Sequence, residues 1–117
     1  LPPELPRLLP YSSKVDPLSP YWTDVHFREA RLDESTKEHL RDSCVRLFER
    51  LQLRDYARFD FRANAAGTIK LMEVNPNPAW CWDGKLAHMG AVAGLTNGEV
   101  LRLILTAAER RASGPVS

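Results

Sequence analysis

Two short segments joined by a tight turn constrain this chain more than anything else in it. Ala57-Arg58-Phe59-Asp60-Phe61-Arg62 is followed, across Asn64-Ala65-Ala66-Gly67-Thr68, by Ile69-Lys70-Leu71-Met72-Glu73-Val74-Asn75-Pro76-Asn77-Pro78. Side chains alternate along a strand, so Arg58, Asp60 and Arg62 share one face, with Phe59 and Phe61 on the other. By the same parity Ile69, Leu71, Glu73 and Asn75 share a face, opposed by Lys70, Met72 and Val74. Asn and Gly tolerate positive φ and mark the turn. A four-residue loop, Ala65 to Thr68, pairs Asn64 with Ile69 and so places Asp60 opposite Glu73 and Arg58 opposite Asn75. A slip of one residue would send Glu73 and Asn75 to the face away from Asp60.

In that register an Asp, a Glu and an Asn meet on one face, which is the all-oxygen donor set of a hard divalent cation. Like charges directly opposite on a sheet repel, with Cβ atoms roughly 4.5–5.5 Å apart. A Mg²⁺ ion, a shared proton or the neighbouring Arg58 and Arg62 would each offset that repulsion. The plainer reading is an exposed hairpin face with cross-strand Arg–carboxylate pairs, and spacing alone favours it, because solvated charged faces are common on antiparallel sheets.

The text Tyr56-Ala57-Arg58-Phe59-Asp60-Phe61, then Leu71-Met72-Glu73-Val74-Asn75-Pro76-Asn77-Pro78, resembles the late part of the ATP-grasp superfamily. It is most similar to D-alanine–D-alanine ligase and its relatives. The order Arg-x-Asp, a turn, then Glu-Val-Asn-x-x-Pro carries the likeness, which extends over about residues 11 to 110. The resemblance implies an α+β fold, the ATP-grasp C-terminal subdomain, with an antiparallel sheet and helices packed on one face. It implies an ATP-dependent carboxylate–amine ligase. ATP phosphorylates a carboxylate, and an amine then attacks the acyl phosphate, giving an amide, ADP and phosphate. Carried over by position, Asp60, Glu73 and Asn75 would hold Mg²⁺ (with Mn²⁺ able to stand in) against the ATP phosphates. Arg58 would face the transferring phosphoryl group or the tetrahedral intermediate. These residue types suit the chemistry, since phosphoryl transfer is mainly positioning and charge neutralisation.

Upstream, Tyr11-Ser12-Ser13-Lys14 sits where the relatives carry a Tyr-x-x-Lys on a loop over the active site. Lys14 is then either a cofactor-binding contact to ATP phosphate or an ordinary surface lysine. Downstream, Pro78-Ala79-Trp80 departs from the relatives' Pro-Gly. Their substrate-binding Ser has no counterpart in Trp80-Cys81-Trp82-Asp83-Gly84-Lys85, so the resemblance does not carry D-alanine over as the substrate. Asp83 and Lys85 are the charged side chains there that would read a different amine or carboxylate.

Size bounds the claim. The 117 residues suffice for one domain with a modest core. An ATP-grasp site is a cleft between two subdomains, and nothing here resembles the earlier, nucleotide-clasping one. The chain also begins at Leu1 rather than Met, so it is expected to be part of a longer protein and to lack complete catalysis alone. The expected partners are the small carboxylate and amine substrates and that missing N-terminal subdomain. Homo-oligomerisation through a face the subdomain leaves exposed stays open. Formal net charge is +1, from 16 basic and 15 acidic residues, which offers no electrostatic case for nucleic acid or an anionic membrane. No run approaches the roughly 18 apolar residues of a membrane span. There is no signal-peptide pattern, and Cys44 and Cys81 lack close metal-ligand spacing, so a reducing cytoplasm is expected.

Residues 1–20 hold six of the nine prolines and read as an extended arm or loop. Residues 21–112 read as the subdomain itself, and 113–117 as a tail, with fraying expected from Ala112. Tyr21 to Phe27 has strand composition, with His26 on its polar side. Leu32 to Leu53 reads as a helix capped by Asp33 or, alternatively, by a Ser35-Thr36-Lys37-Glu38 capping box, with Leu40, Cys44, Leu47, Phe48 and Leu51 as the stripe that covers the sheet. Leu86 to Ala93 reads as a short helix closed by Gly94. Thr96-Asn97-Gly98-Glu99 is a capping box opening a last helix. Trp80 and Trp82 are expected either beneath the substrate region or, more commonly for Trp, over the core. The alternative to a ligase is a non-catalytic ATP-grasp-like binding module or an incomplete fragment without activity of its own.

Overall fold

The structure, a computed structural model, describes residues 27–114. The chain divides into two units between Arg31 and Leu32. Of the first, residues 27–31 are described and form no regular element. The proline-rich arm, Tyr11 to Lys14, His26 and the candidate strand before Phe27 lie outside the described residues, as do residues 115–117.

In the second unit the described elements run helix α1 (Glu34–Arg50), strand β1 (Arg58–Ala63), strand β2 (Ile69–Asn75), helix α2 (Lys85–Val92) and helix α3 (Asn97–Ser113). This is an α+β arrangement around an antiparallel hairpin. Helix α1 is capped at Asp33, the first of the two caps its sequence offers, and not at the Ser35-Thr36-Lys37-Glu38 box. The Asp33 carboxylate accepts from the Thr36 N–H at 2.7 Å, satisfying a donor that has no partner within the helix. That bond holds the Asp33 carboxyl below the usual aspartate range. Its end closes as a Schellman motif. Leu53 N–H donates to the Phe48 carbonyl and Gln52 N–H to that of Glu49, with Gln52 at φ 53° where glycine is usual. Helix α3 opens with the expected capping box, Thr96 and Glu99 exchanging bonds with each other's backbone N–H. It runs on through Ser113, past Ala112 where fraying was expected.

The hairpin corrects the sequence reading in two places that cancel. The loop has three residues rather than four: Asn64 N–H donates to the Thr68 carbonyl, and Ala63, not Asn64, pairs with Ile69. Gly67, at φ +83°, takes the left-handed position such a loop requires. The Asn64 side-chain oxygen accepts from the N–H groups of both Ala66 and Thr68. The register then shifts between Asp60 and Phe61, leaving Met72 as an extra residue on β2. One residue lost in the loop and one gained in the bulge restore Asp60↔Glu73 and Arg58↔Asn75.

The bulge also re-phases β2, because directly paired residues share a face. Ile69 and Leu71 pair with Ala63 and Phe61, and so join Phe59 and Val74 on the apolar face. Lys70 moves to the polar face, opposite Arg62. Uninterrupted alternation had put Ile69 and Leu71 beside Glu73.

The helices border the apolar face. Phe59 shares a shallow groove with Cys44, Val45 and Phe48 of α1. Partial burial there pushes the Cys44 thiol pKa up, away from reactivity. Ala57, on the same parity, faces a second groove with Leu86, Met89, Val100 and Leu103. Helices α2 and α3 meet at Gly90, where an added Cβ would lie 2.4 Å from Val100 Cγ2. Among the described hydrophobic residues Ala87 and Val100 are buried, and Pro78 is the largest fully buried side chain. Leu51, Leu71, Leu103 and Leu105 remain exposed. Trp80 and Trp82, at 58% and 79% exposure, do not cover the core. Among the described residues no single helix is long and apolar enough to cross a membrane.

Candidate metal and phosphate site

The polar face of the hairpin is built by β1 and β2 together. Arg58 and Asp60 lie two residues apart on β1, hence on one side, and their partners Asn75 and Glu73 stand opposite them. Arg58, Asp60, Glu73 and Asn75 are therefore brought onto one face. Glu73 is exposed, whereas Arg58, Asp60 and Asn75 are half-buried. The side chain of Asp60 keeps 36% of its surface open, against 15% for Arg58.

Arg58 grips Asp60 in a bidentate pair, Nε to Oδ1 at 2.9 Å and Nη2 to Oδ2 at 3.0 Å. The expected Arg–carboxylate pair thus exists, but along one strand rather than across the two. It answers the question raised by the facing acids. The hydrogen bonds to Asp60, with the fields of Asp60 and Glu73, raise the Arg58 pKa against the opposing effect of burial. A cation bonded to Asp60 and within the field of Glu73 offsets their repulsion, and a planar guanidinium does this while keeping fixed orientation.

Beyond β2 the chain is pinned. Asn75 Oδ1 accepts from the Asn77 N–H at 3.0 Å, and Asn77 Oδ1 in turn accepts from the Tyr56 hydroxyl. Before β1, Tyr56 N–H donates to the Arg54 carbonyl across Asp55, which sits at φ 67°. The Asp55 carboxylate is held by Arg111 of α3 through two bonds of 3.0 Å. Those bonds lower the Asp55 pKa and raise that of Arg111. Sequence reasoning missed Asp55, Tyr56, Asn77 and the role of Arg111. A tyrosine ahead of a strand has no spacing signature, and the Asp55–Arg111 pair spans 56 residues.

The donors fit a hard cation. Two carboxylates and one amide oxygen suit Mg²⁺, which prefers one or two protein carboxylates completed by phosphate and water. Each oxygen has a second lone pair beyond the bonds described. Among the described residues no group of three or more His, Cys, Asp and Glu side chains forms a self-sufficient metal cluster. A cation here would need the amide and external oxygens. Lys14 lies outside the described residues.

The family described as "D-ala D-ala ligase C-terminus" matches residues 11–106. The chain belongs to this family. The D-ala D-ala ligase C-terminus match encloses the hairpin and its polar face, and the α+β arrangement is consistent with the C-terminal part of an ATP-grasp fold. Two curated proteins align with it over 85 residues, 73% of the chain. One is "Uncharacterized protein y4sG" of Sinorhizobium fredii (strain NBRC 101917 / NGR234), 31% identical, with 25% of its length covered. The other is a D-alanine–D-alanine ligase of Nocardia farcinica (strain IFM 10152), 28% identical, with 23% covered. The chain thus spans about a quarter of the length of these relatives. No solved structure matches it at a significant level.

Proposed function

We propose that this chain is the metal- and nucleotide-phosphate-binding part of an ATP-dependent carboxylate–amine ligase. The reading rests on family membership, and the observation that carries it is the shared face of Arg58, Asp60, Glu73 and Asn75. Asp60, Glu73 and Asn75 hold Mg²⁺, which neutralises phosphate charge and orients the ATP phosphates when bound. Arg58 is anchored on Asp60 and keeps its charge at any working pH, so it stabilises the oxyanions of the transferring phosphoryl group. Lys14 adds a phosphate contact.

In the reaction a carboxylate oxygen attacks the terminal phosphorus of ATP and ADP leaves. An amine then attacks the acyl carbon, phosphate departs and the amine loses a proton. The nucleotide-clasping subdomain is supplied by sequence outside this chain. The segment Ala79 to Lys85 reads the acceptor, and its departure from the relatives' pattern makes an acceptor other than D-alanine the expectation.

The test uses the protein expressed from its complete coding sequence. Asp60→Asn and Glu73→Gln keep shape and remove charge. Each is expected to lower ATP turnover by at least a hundredfold, in the range seen when a group stabilising transition-state charge is removed. Thermal unfolding should stay close to wild type. Near-normal turnover in both variants would overturn the assignment.

A further inference from the structure

We propose that Tyr56 is a positioning residue for the Asn75 carboxamide, acting through Asn77. The proposal rests on the reading above that Asn75 is a cation ligand. A carboxamide presents an oxygen or an NH₂ group with nearly the same shape, and a cation accepts only the oxygen. The choice is made by the Asn77 N–H, because a backbone donor can be met only by Asn75 Oδ1. That bond leaves the second lone pair of the oxygen for a ligand.

Its geometry depends on Asn77, which is exposed and lies between Pro76 and Pro78. Two neighbours hold the segment. Pro78 is fully buried and fixes its far end. Tyr56 donates its hydroxyl to Asn77 Oδ1 and ties the near end to the entry of β1, 21 residues earlier. Tyr56 is itself well placed to anchor. It is half-buried, borders the groove that contains Met89 and Leu103, and follows the Asp55 turn locked by Arg111. The relay therefore runs from the packed side of the hairpin to the last residue of β2, and it fixes which atom Asn75 presents.

Partners that orient a metal ligand from behind are worth tenfold to a hundredfold in metal affinity. A neutral amide ligand belongs at the lower end. In the protein expressed from its complete coding sequence, Mn²⁺ binding in the presence of ATP is followed by its paramagnetic resonance signal. Tyr56→Phe is expected to raise the Mn²⁺ concentration for half-saturation about tenfold, with the unfolding midpoint within roughly 2 °C of wild type. Asn77→Ala should do the same, and the double variant should be no worse than either single, as members of one relay are not additive.

Wild-type Mn²⁺ affinity in Tyr56→Phe, beside lost binding in Glu73→Gln, would overturn the relay and leave the ligase reading standing. Undiminished binding in Glu73→Gln would overturn the cation site and the relay with it. A lowered unfolding midpoint with unchanged affinity would make Tyr56 purely structural and overturn the proposal. Fully additive losses in the double variant would also overturn it. If Tyr56→Phe does not fold, Asn77→Ala, at an exposed side chain, decides between the same outcomes.

Discussion

Asp60 stands directly opposite Glu73, one step before the two strands change register. The pairing is the product of two compensating irregularities, a loop one residue short and a bulge one residue long. Had only one occurred, Glu73 and Asn75 would have faced the apolar side and the helices. The bulge at Met72 lets a single strand carry hydrophobic residues at 69 and 71 and ligand-type residues at 73 and 75 on opposite faces. Bulges commonly serve this purpose beside functional sites, where they re-aim side chains without ending the ladder.

Residues 71 and 72 should therefore respond oppositely to their raw alternation. Leu71 lies on the apolar face opposite Phe61 and is 39% exposed, whereas Met72 is unpaired and 62% exposed. Leu71→Asn is expected to cost about 1 kcal/mol, less than the full transfer value because burial is partial. Met72→Asn should stay within about 0.5 kcal/mol of wild type. Urea unfolding of both variants checks this, and the reverse ranking would place the bulge elsewhere.

The loop offers a second check. Gly67 has open space around it but lies at φ +83°, so Gly67→Ala meets a backbone penalty and no clash. A cost of about 1–2 kcal/mol is expected. Asn64→Ala removes an oxygen that accepts two N–H groups, at about 1 kcal/mol in this exposed setting. Hydrogen exchange at Ala66 and Thr68 should accelerate in the Asn64 variant while exchange in α3 does not.

At the α2–α3 crossing, helix propensity and packing oppose each other. Alanine at an interior helix position is favoured over glycine by about 0.8–1.0 kcal/mol. At Gly90 the new Cβ would lie 2.4 Å from Val100 Cγ2, closer than any real contact. Overpacking of this kind costs about 1–3 kcal/mol, so packing should win and Gly90→Ala should destabilise. Adding Val100→Ala opens the space, and the double variant should then lose less than the two single losses summed. Denaturant midpoints of the three variants test this.

The Asp55–Arg111 pair makes a prediction in pH. Its bonds hold the Asp55 carboxyl below the ordinary aspartate value of about 3.9. Folding then favours the ionised form. The contribution is fully present above that value and is lost as pH falls through the lower folded-state value. Asp55→Asn should lower the unfolding midpoint at pH 7, and its gap to wild type should close as pH drops below about 4. Arg111→Met should behave alike. Added salt should narrow both gaps at neutral pH, since Arg111 is 47% exposed. A gap independent of pH would remove the ion pair as its cause.

Helix starts, the hairpin's existence and Arg58, Asp60, Glu73 and Asn75 as candidate residues for one face were legible from residue order. Caps and turns are local: Asp33 needs only Thr36 and Thr96 only Glu99, so composition over a few residues determines them. Other features depended on assembly. Simple alternation could not place the Met72 bulge, because a ladder's phase is settled by which face finds hydrophobic partners. Residue order likewise held no sign that Asp55 would find Arg111, or that Tyr56 would reach Asn77, since such pairs form only once the fold has brought distant segments together. Local hydrogen bonding is written in neighbours along the chain, whereas face, register and long-range clamps are free-energy decisions of the packed whole.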